Sequence, residues 1–159
     1  MKVAIVGAGP AGATMALLLA RFGVEVTLVE RETSFERVFR GEGLMPSGID
    51  ALFEMRLEDV LSAVPSRKVE SWNIFIDGEE VFVIPEPVEE LGDLAMQVVS
   101  QPAFLERVIE AAGEYPSFRF EAGARFHDLV RDRSGRVAGI RLETEGGRAR
   151  GRRGPCHRL

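Results

Sequence analysis

Apolar and polar positions change period several times along the chain, and each change marks an element. Residues 2–6 form a short apolar run rich in β-branched side chains, which predicts a buried strand. Ala13 to Phe22 is a continuous Ala/Leu-rich segment that predicts a helix, with Gly23 where a left-handed C-terminal cap would sit. Val24 to Val29 predicts a second strand, ending in Glu30. Residues 31–40 are polar and arginine-rich and predict a surface loop, continued by Gly41 to Met45. Pro46 or Ser47 then opens a helical pattern through Ile49, Leu52, Phe53 and Leu57, resumed after a break to Val64.

From Val69 the period falls to two. Trp72, Ile74 and Ile76 alternate with Asn73 and Phe75, Asp77-Gly78 reads as a turn, and Val81 to Ile84 returns, which predicts a β-hairpin. Its apolar alternation predicts plain core. Pro85-Glu86-Pro87 ends it, residues 89–93 read as loop, and Leu94 to Val99 as a strand. Ser100-Gln101 predicts a cap for a helix with Pro102 at its first position and Phe104, Leu105, Val108, Ile109 and Ala112 on one face. Phe118 to Phe120, Ala124 to Arg131 and Arg136 to Thr144 read as extended, the last two joined by a Ser134-Gly135 turn.

The turn between the first strand and helix carries the clearest chemistry. In Gly7-Ala8-Gly9-Pro10-Ala11-Gly12, Gly7 allows a sharp turn, Gly9 lets backbone N–H groups approach a pyrophosphate, and Gly12 lets the helix pack closely on the strand. The helix N-terminus directs unpaired N–H groups and its positive dipole end toward the same place. Glu30 lies 18 positions beyond Gly12, close to the spacing of an acid that binds ribose hydroxyls. A glycine turn alone is weak evidence. Strand, helix, second strand and terminal acid together point to a dinucleotide site over an accidental glycine-rich βαβ unit.

Composition narrows the class. A chain of 159 residues with a net charge of −5 is the size of one domain and argues against nucleic acid or anionic membranes as partners. One cysteine, Cys156, and two histidines, His127 and His157, offer no disulfide and no evident metal site. No apolar stretch reaches membrane-spanning length, and the first strand begins at once, so no leader peptide and a cytoplasmic location are expected. A β insertion follows Glu30 where a nicotinamide-binding domain would more often repeat strand and helix, which favours a two-layer flavoprotein plan. The expected fold class is α/β, a Rossmann-like FAD-binding βαβ domain with an inserted β-hairpin or sheet, cut short. Residues 1–68 and 95–147 form its cofactor region, 69–94 the inserted strands of a substrate-side sheet, and 148–159 an irregular tail.

In VAIVGAGPAGATMALLLARFGVEVTLVERE, FRGEGL, SQPAFLERVIEAA and GARFHDLVRDRSGRVAGIRLETEGG, the chain resembles the N-terminal part of the FAD-dependent aromatic-ring monooxygenases, the para-hydroxybenzoate hydroxylase-like flavoproteins. The resemblance implies that Gly7, Gly9, Pro10, Ala11 and Gly12 cradle the FAD pyrophosphate and that Glu30 holds the adenosine ribose. It sets Arg31 beside the adenine, Arg40 near the pyrophosphate and ribityl chain, and the backbone of Ala124 at the adenine. Gln101 reaches the same linker or serves only as a helix cap, and Arg37 is a solvated loop residue or a second cofactor contact. Trp72, Ile74 and Ile76 fall where the family's substrate sheet begins. The implied chemistry is reduction of FAD by NAD(P)H, then transfer of one oxygen from O₂ to a small, aromatic substrate. The flavin carries that chemistry, so no catalytic side chain is named. Flavin-dependent halogenases and geranylgeranyl-type reductases share this opening plan, and a non-catalytic nucleotide-binding remnant or half of a split flavoprotein is the alternative outside catalysis.

Two motifs of the family, an apolar strand ending in Asp-Gly and a Gly-Asp segment for the ribityl chain, find no counterpart. Asp77-Gly78 and Gly92-Asp93 read as structural. Residues 151–159 show no period, and they are expected to be the out-of-frame end of a truncated product rather than a basic arm for an acidic partner. Such a chain is expected to retain FAD weakly, and to self-associate or pair with a complementing C-terminal half.

Overall fold

The computed structural model describes residues 1–36, 42–144 and 156–158. The chain divides into two units, residues 1–36 with 105–159, and residues 37–104. Within the second, short strands at 43–44, 66–68 and 97–99 pair with one another into a sheet of their own.

The first unit is built on a parallel sheet. Its strands are β1 (Lys2–Val6), β2 (Glu25–Val29) and, after β3 to β7 of the second unit, β8 (Phe118–Glu121), in the order β1-β2-β8. Helix α1 (Pro10–Arg21) connects β1 to β2 and buries Ala13, Ala16, Leu17 and Ala20, the i, i+3, i+4, i+7 stripe of an amphipathic helix. It starts at Pro10, three residues before the apolar run, since proline suits a first-turn position. It ends in a Schellman motif: Val24 N–H donates to the Leu19 carbonyl, Gly23 N–H to that of Ala20, and Gly23 has φ +75°. Beyond β8, β9 (Ala124–Arg131) and β10 (Val137–Thr144) form an antiparallel hairpin. Residues 156–158, expected to be irregular, are instead extended as β11 (Cys156–Arg158) and pair with Gly139 to Arg141 of β10; backbone pairing along an open strand edge needs no apolar period. Val29, Ala124, Ile140 and Leu142 form a buried cluster with Ala4 packed against it, which joins the two sheets.

The second unit carries β3 (Gly43–Leu44), β4 (Ser66–Lys68) and β7 (Gln97–Val99) in the order β3-β7-β4, with α2 (Pro46–Glu54) and α3 (Glu58–Ser62) between the first two. Ile49, Leu52, Leu57, Val60 and Leu61 are its buried apolar positions on and between those helices. Residues 89–93, expected as loop, fall in a single turn of helix, α4 (Val88–Leu91), and a 3₁₀ turn at Gly92–Leu94, which shortens the expected 94–99 strand to β7. Helix α5 (Gln101–Gly113) begins at Gln101 rather than being capped by it. Ser100 is the cap, its carbonyl accepting from Phe104 N–H and its hydroxyl lying 3.5 Å from the Ala103 nitrogen.

The hairpin of β5 (Ser71–Ile76) and β6 (Glu79–Pro85) forms with a two-residue Asp77-Gly78 turn, both residues at positive φ. Its expected place in the core is not found. Trp72, Ile74, Phe75, Ile76, Val81, Phe82, Val83 and Ile84 are all exposed, because apolar side chains occupy both faces of a two-stranded sheet that pairs only with itself. Among the described residues no helix is long and apolar enough to cross a membrane.

Candidate functional site

The glycine turn lies at the C-terminal end of β1, and three different physical demands fix its three glycines. Gly7 has φ +99°, a conformation that side chains resist, and its N–H continues the parallel ladder by donating to the Val29 carbonyl at 2.8 Å. A Cβ on Gly12 would lie 2.0 Å from the Gly7 oxygen and 3.4 Å from Ile5 Cγ2, so close packing of helix on strand excludes any larger residue. Gly9 is the helix N-cap, with φ −71° and ψ 178°, a conformation open to any residue. A Cβ there would meet no atom within 4 Å. The fold itself therefore does not require glycine at position 9, and open space beside a helix N-terminus is what a phosphate needs.

Donors for an anion are available in that space. The first N–H groups of an α-helix have no intrahelical partner, Pro10 has none to offer, and Ala11 and Gly12 supply the next two. Ala11 is exposed and Ala8 buried. The turn thus presents backbone donors and a dipole end with no side chain in the way, a fit for the pyrophosphate of a dinucleotide.

Glu30, at the end of β2, is the one buried charged residue among the described residues, at 7 % exposure. Its Oε2 accepts from Ala8 N–H at 2.8 Å and its Oε1 from Glu32 N–H at 3.1 Å. Its own N–H donates to the Glu121 carbonyl and its carbonyl accepts from Ala124 N–H, both at 2.9 Å. The sequence placed Glu30 for ribose recognition; its ties to the turn, β8 and β9 had no sequence signal beyond an acid ending a strand.

Arg31 is exposed, its Nε 3.0 Å from Glu32 Oε1. Ala124 is buried with its N–H committed to Glu30, so an adenine contact through that N–H is closed. Gln101 opens α5 in the second unit. Arg37 and Arg40 lie outside the described residues. The structure therefore gathers Gly7, Gly9, Pro10, Ala11, Gly12, Glu30 and Ala124 in the first unit. No group of three or more metal-ligating side chains occurs among the described residues.

The FAD binding domain family matches residues 1–152 of this chain. Squalene monooxygenase SE2 of Panax ginseng is 33 % identical over 146 residues, covering 91 % of this chain and 26 % of the ginseng protein. The chain thus spans about a quarter of the length of that relative. Among solved structures, p-nitrophenol 4-monooxygenase PnpA of Pseudomonas putida superposes with a TM-score of 0.73 at 18 % identity, over 92 % of this chain and 38 % of the other. PqsL of Pseudomonas aeruginosa does so with a TM-score of 0.67 at 23 % identity, over 93 % and 39 %.

Proposed function

From the premise that this chain belongs to the FAD binding domain family, we propose that it is the dinucleotide-holding part of an NAD(P)H-dependent flavoprotein monooxygenase that hydroxylates a small aromatic substrate. The observation that carries the reading is Gly9, a glycine with no conformational or packing reason of its own, set at a helix N-terminus beside a buried acid. The turn from Gly7 to Gly12 receives the pyrophosphate on backbone donors, and Glu30 faces the ribose. Arg31 is assigned to the adenine end. When bound, FAD supplies the redox and oxygen-transfer chemistry, and the chain's own residues hold and orient it.

Support for a small substrate comes from the second unit. An open cavity of about 670 Å³ there is lined by Trp72 and Met96 with Arg67, Lys68, Glu42 and Glu70, within the size range of small-molecule sites. The two cations are balanced by the two carboxylates, and Lys68 Nζ lies 3.6 Å from Asp93 Oδ1, so size and apolar walls, not charge, support a small molecule here.

The exposed hairpin favours a second reading, half of a split flavoprotein completed by another polypeptide. One titration separates the two. Under the proposal, ADP binds the chain stoichiometrically by calorimetry, whereas FAD is not retained through desalting until a C-terminal portion is supplied on the same polypeptide. Complementation by a separate polypeptide alone would favour the split protein. Absence of ADP binding would sink both.

A further inference from the structure

We propose that Glu30 is the positioning residue that holds the glycine turn in its phosphate-receiving shape before any nucleotide arrives. The inference rests on the FAD reading for its ligand but on this chain's own hydrogen bonds for its geometry.

Glu30 sits where the separate pieces of the site meet. Its Oε2 takes Ala8 N–H, the amide immediately before Gly9, across 22 positions of sequence. Its Oε1 takes Glu32 N–H at the start of the following turn. Its backbone fixes the residue itself, with Glu121 accepting on one side and Ala124 donating on the other. A carboxylate nine-tenths buried must be compensated, and two backbone amides of this chain contribute to that. The turn is thereby anchored ahead of Gly9 at two points, Gly7 N–H to the Val29 carbonyl and Ala8 N–H to Glu30, while the Gly9 carbonyl accepts from Ala13 N–H of the helix.

Both side-chain oxygens accept from N–H donors, and this gives the inference its content. An amide has one oxygen and one NH₂. In either orientation, glutamine at position 30 sets its NH₂ against the N–H of Ala8 or of Glu32. Aspartate is one methylene too short to reach both. The requirement for glutamate thus exists without a ribose, and loss of the acid should damage recognition of the diphosphate as well as of the sugar.

The test uses the whole chain, with ADP and 2′,3′-dideoxy-ADP, which lacks the ribose diol, as probes. Glu30→Gln is expected to lower the Tm of the nucleotide-free chain and to weaken both probes by about tenfold or more. Glu30→Asp should not rescue. Val108→Ala, a destabilising change at a buried position of α5, should leave dideoxy-ADP affinity unaltered, which separates positioning from general loss of stability. If Glu30→Gln weakens ADP alone and leaves Tm and dideoxy-ADP affinity intact, Glu30 serves only the ribose and the proposal is overturned. Should the variant fail to fold, amide exchange of Ala8 in the native nucleotide-free chain decides: protection supports the clamp, and exchange at the rate of an open loop refutes it. A native chain that binds neither probe would refute the cofactor reading, while Ala8 exchange would still judge the clamp.

Discussion

Gly9 and Gly12 read alike in a glycine-rich motif, and what surrounds one absent carbon separates them. A methyl on Gly12 collides with the Gly7 carbonyl at 2.0 Å, and that backbone cannot move without distorting the turn. Gly12→Ala is therefore expected to cost on the order of 3 kcal/mol, measured as a fall in Tm. Gly9→Val adds bulk into open space at an unstrained φ, so stability should stay within about 1 kcal/mol of native. Its ADP binding, followed by calorimetry, should vanish. A Gly9→Val chain that binds ADP normally would remove the reason for calling this turn a phosphate seat. The packing role of Gly12 was legible in the sequence because it follows from a fixed place in a strand–turn–helix. The grip of Glu30 on Ala8 was not, since hydrogen bonds across 22 positions leave no periodic trace.

Helix ends show the same physics in two residue types. Helix α2 closes like α1, with Leu57 N–H donating to the Leu52 carbonyl and Arg56 N–H to that of Phe53, but its left-handed position is Arg56 at φ +55°. A side chain in that conformation costs about 1 kcal/mol or more, so Arg56→Gly should stabilise the chain by roughly 1 kcal/mol in thermal unfolding. The β9–β10 turn depends instead on a carboxylate. Asp132 Oδ1 accepts from the Ser134 hydroxyl and from the N–H groups of Ser134 and Arg136, and these bonds, the Ser134 side chain first, hold its pKa below 3.8. A lowered folded value means that its contribution is fully present above pH 3.8 and is lost as pH falls through the folded value. Amide exchange at Ser134 and Arg136 should accordingly be slow at neutral pH and accelerate in Asp132→Ala. The difference between the two proteins should close in strong acid. Long periodic segments such as α1, α5 and the two hairpins could be read directly from the sequence. Strands β3 and β4, of two and three residues, could not, since their pairing with β7, not their own pattern, makes them strands.

At the scale of the molecule, the hairpin is where pattern and structure part. Alternation of Trp72, Ile74 and Ile76 is what a buried strand shows, yet these side chains are 43 %, 36 % and 60 % exposed. Alternation reports that a strand has an apolar face; it does not report what covers that face. The partner strand brings Phe82 opposite Ile74 and Ile84 opposite Trp72, so the exposed positions form one continuous apolar surface. Two strands with open edges and apolar faces favour association in water. A net charge of −5 over 159 residues offers little repulsion against it. The chain is therefore expected to sediment as a concentration-dependent oligomer, and more strongly in sulfate, which reinforces apolar burial. Changing the cross-strand pair to Ile74→Lys with Phe82→Lys should shift it toward monomer while leaving ADP affinity in the first unit unaltered. A native chain that stays monomeric across all concentrations would show that this surface is not adhesive on its own. A double variant that also lost ADP binding would show that the hairpin and the glycine turn are energetically coupled.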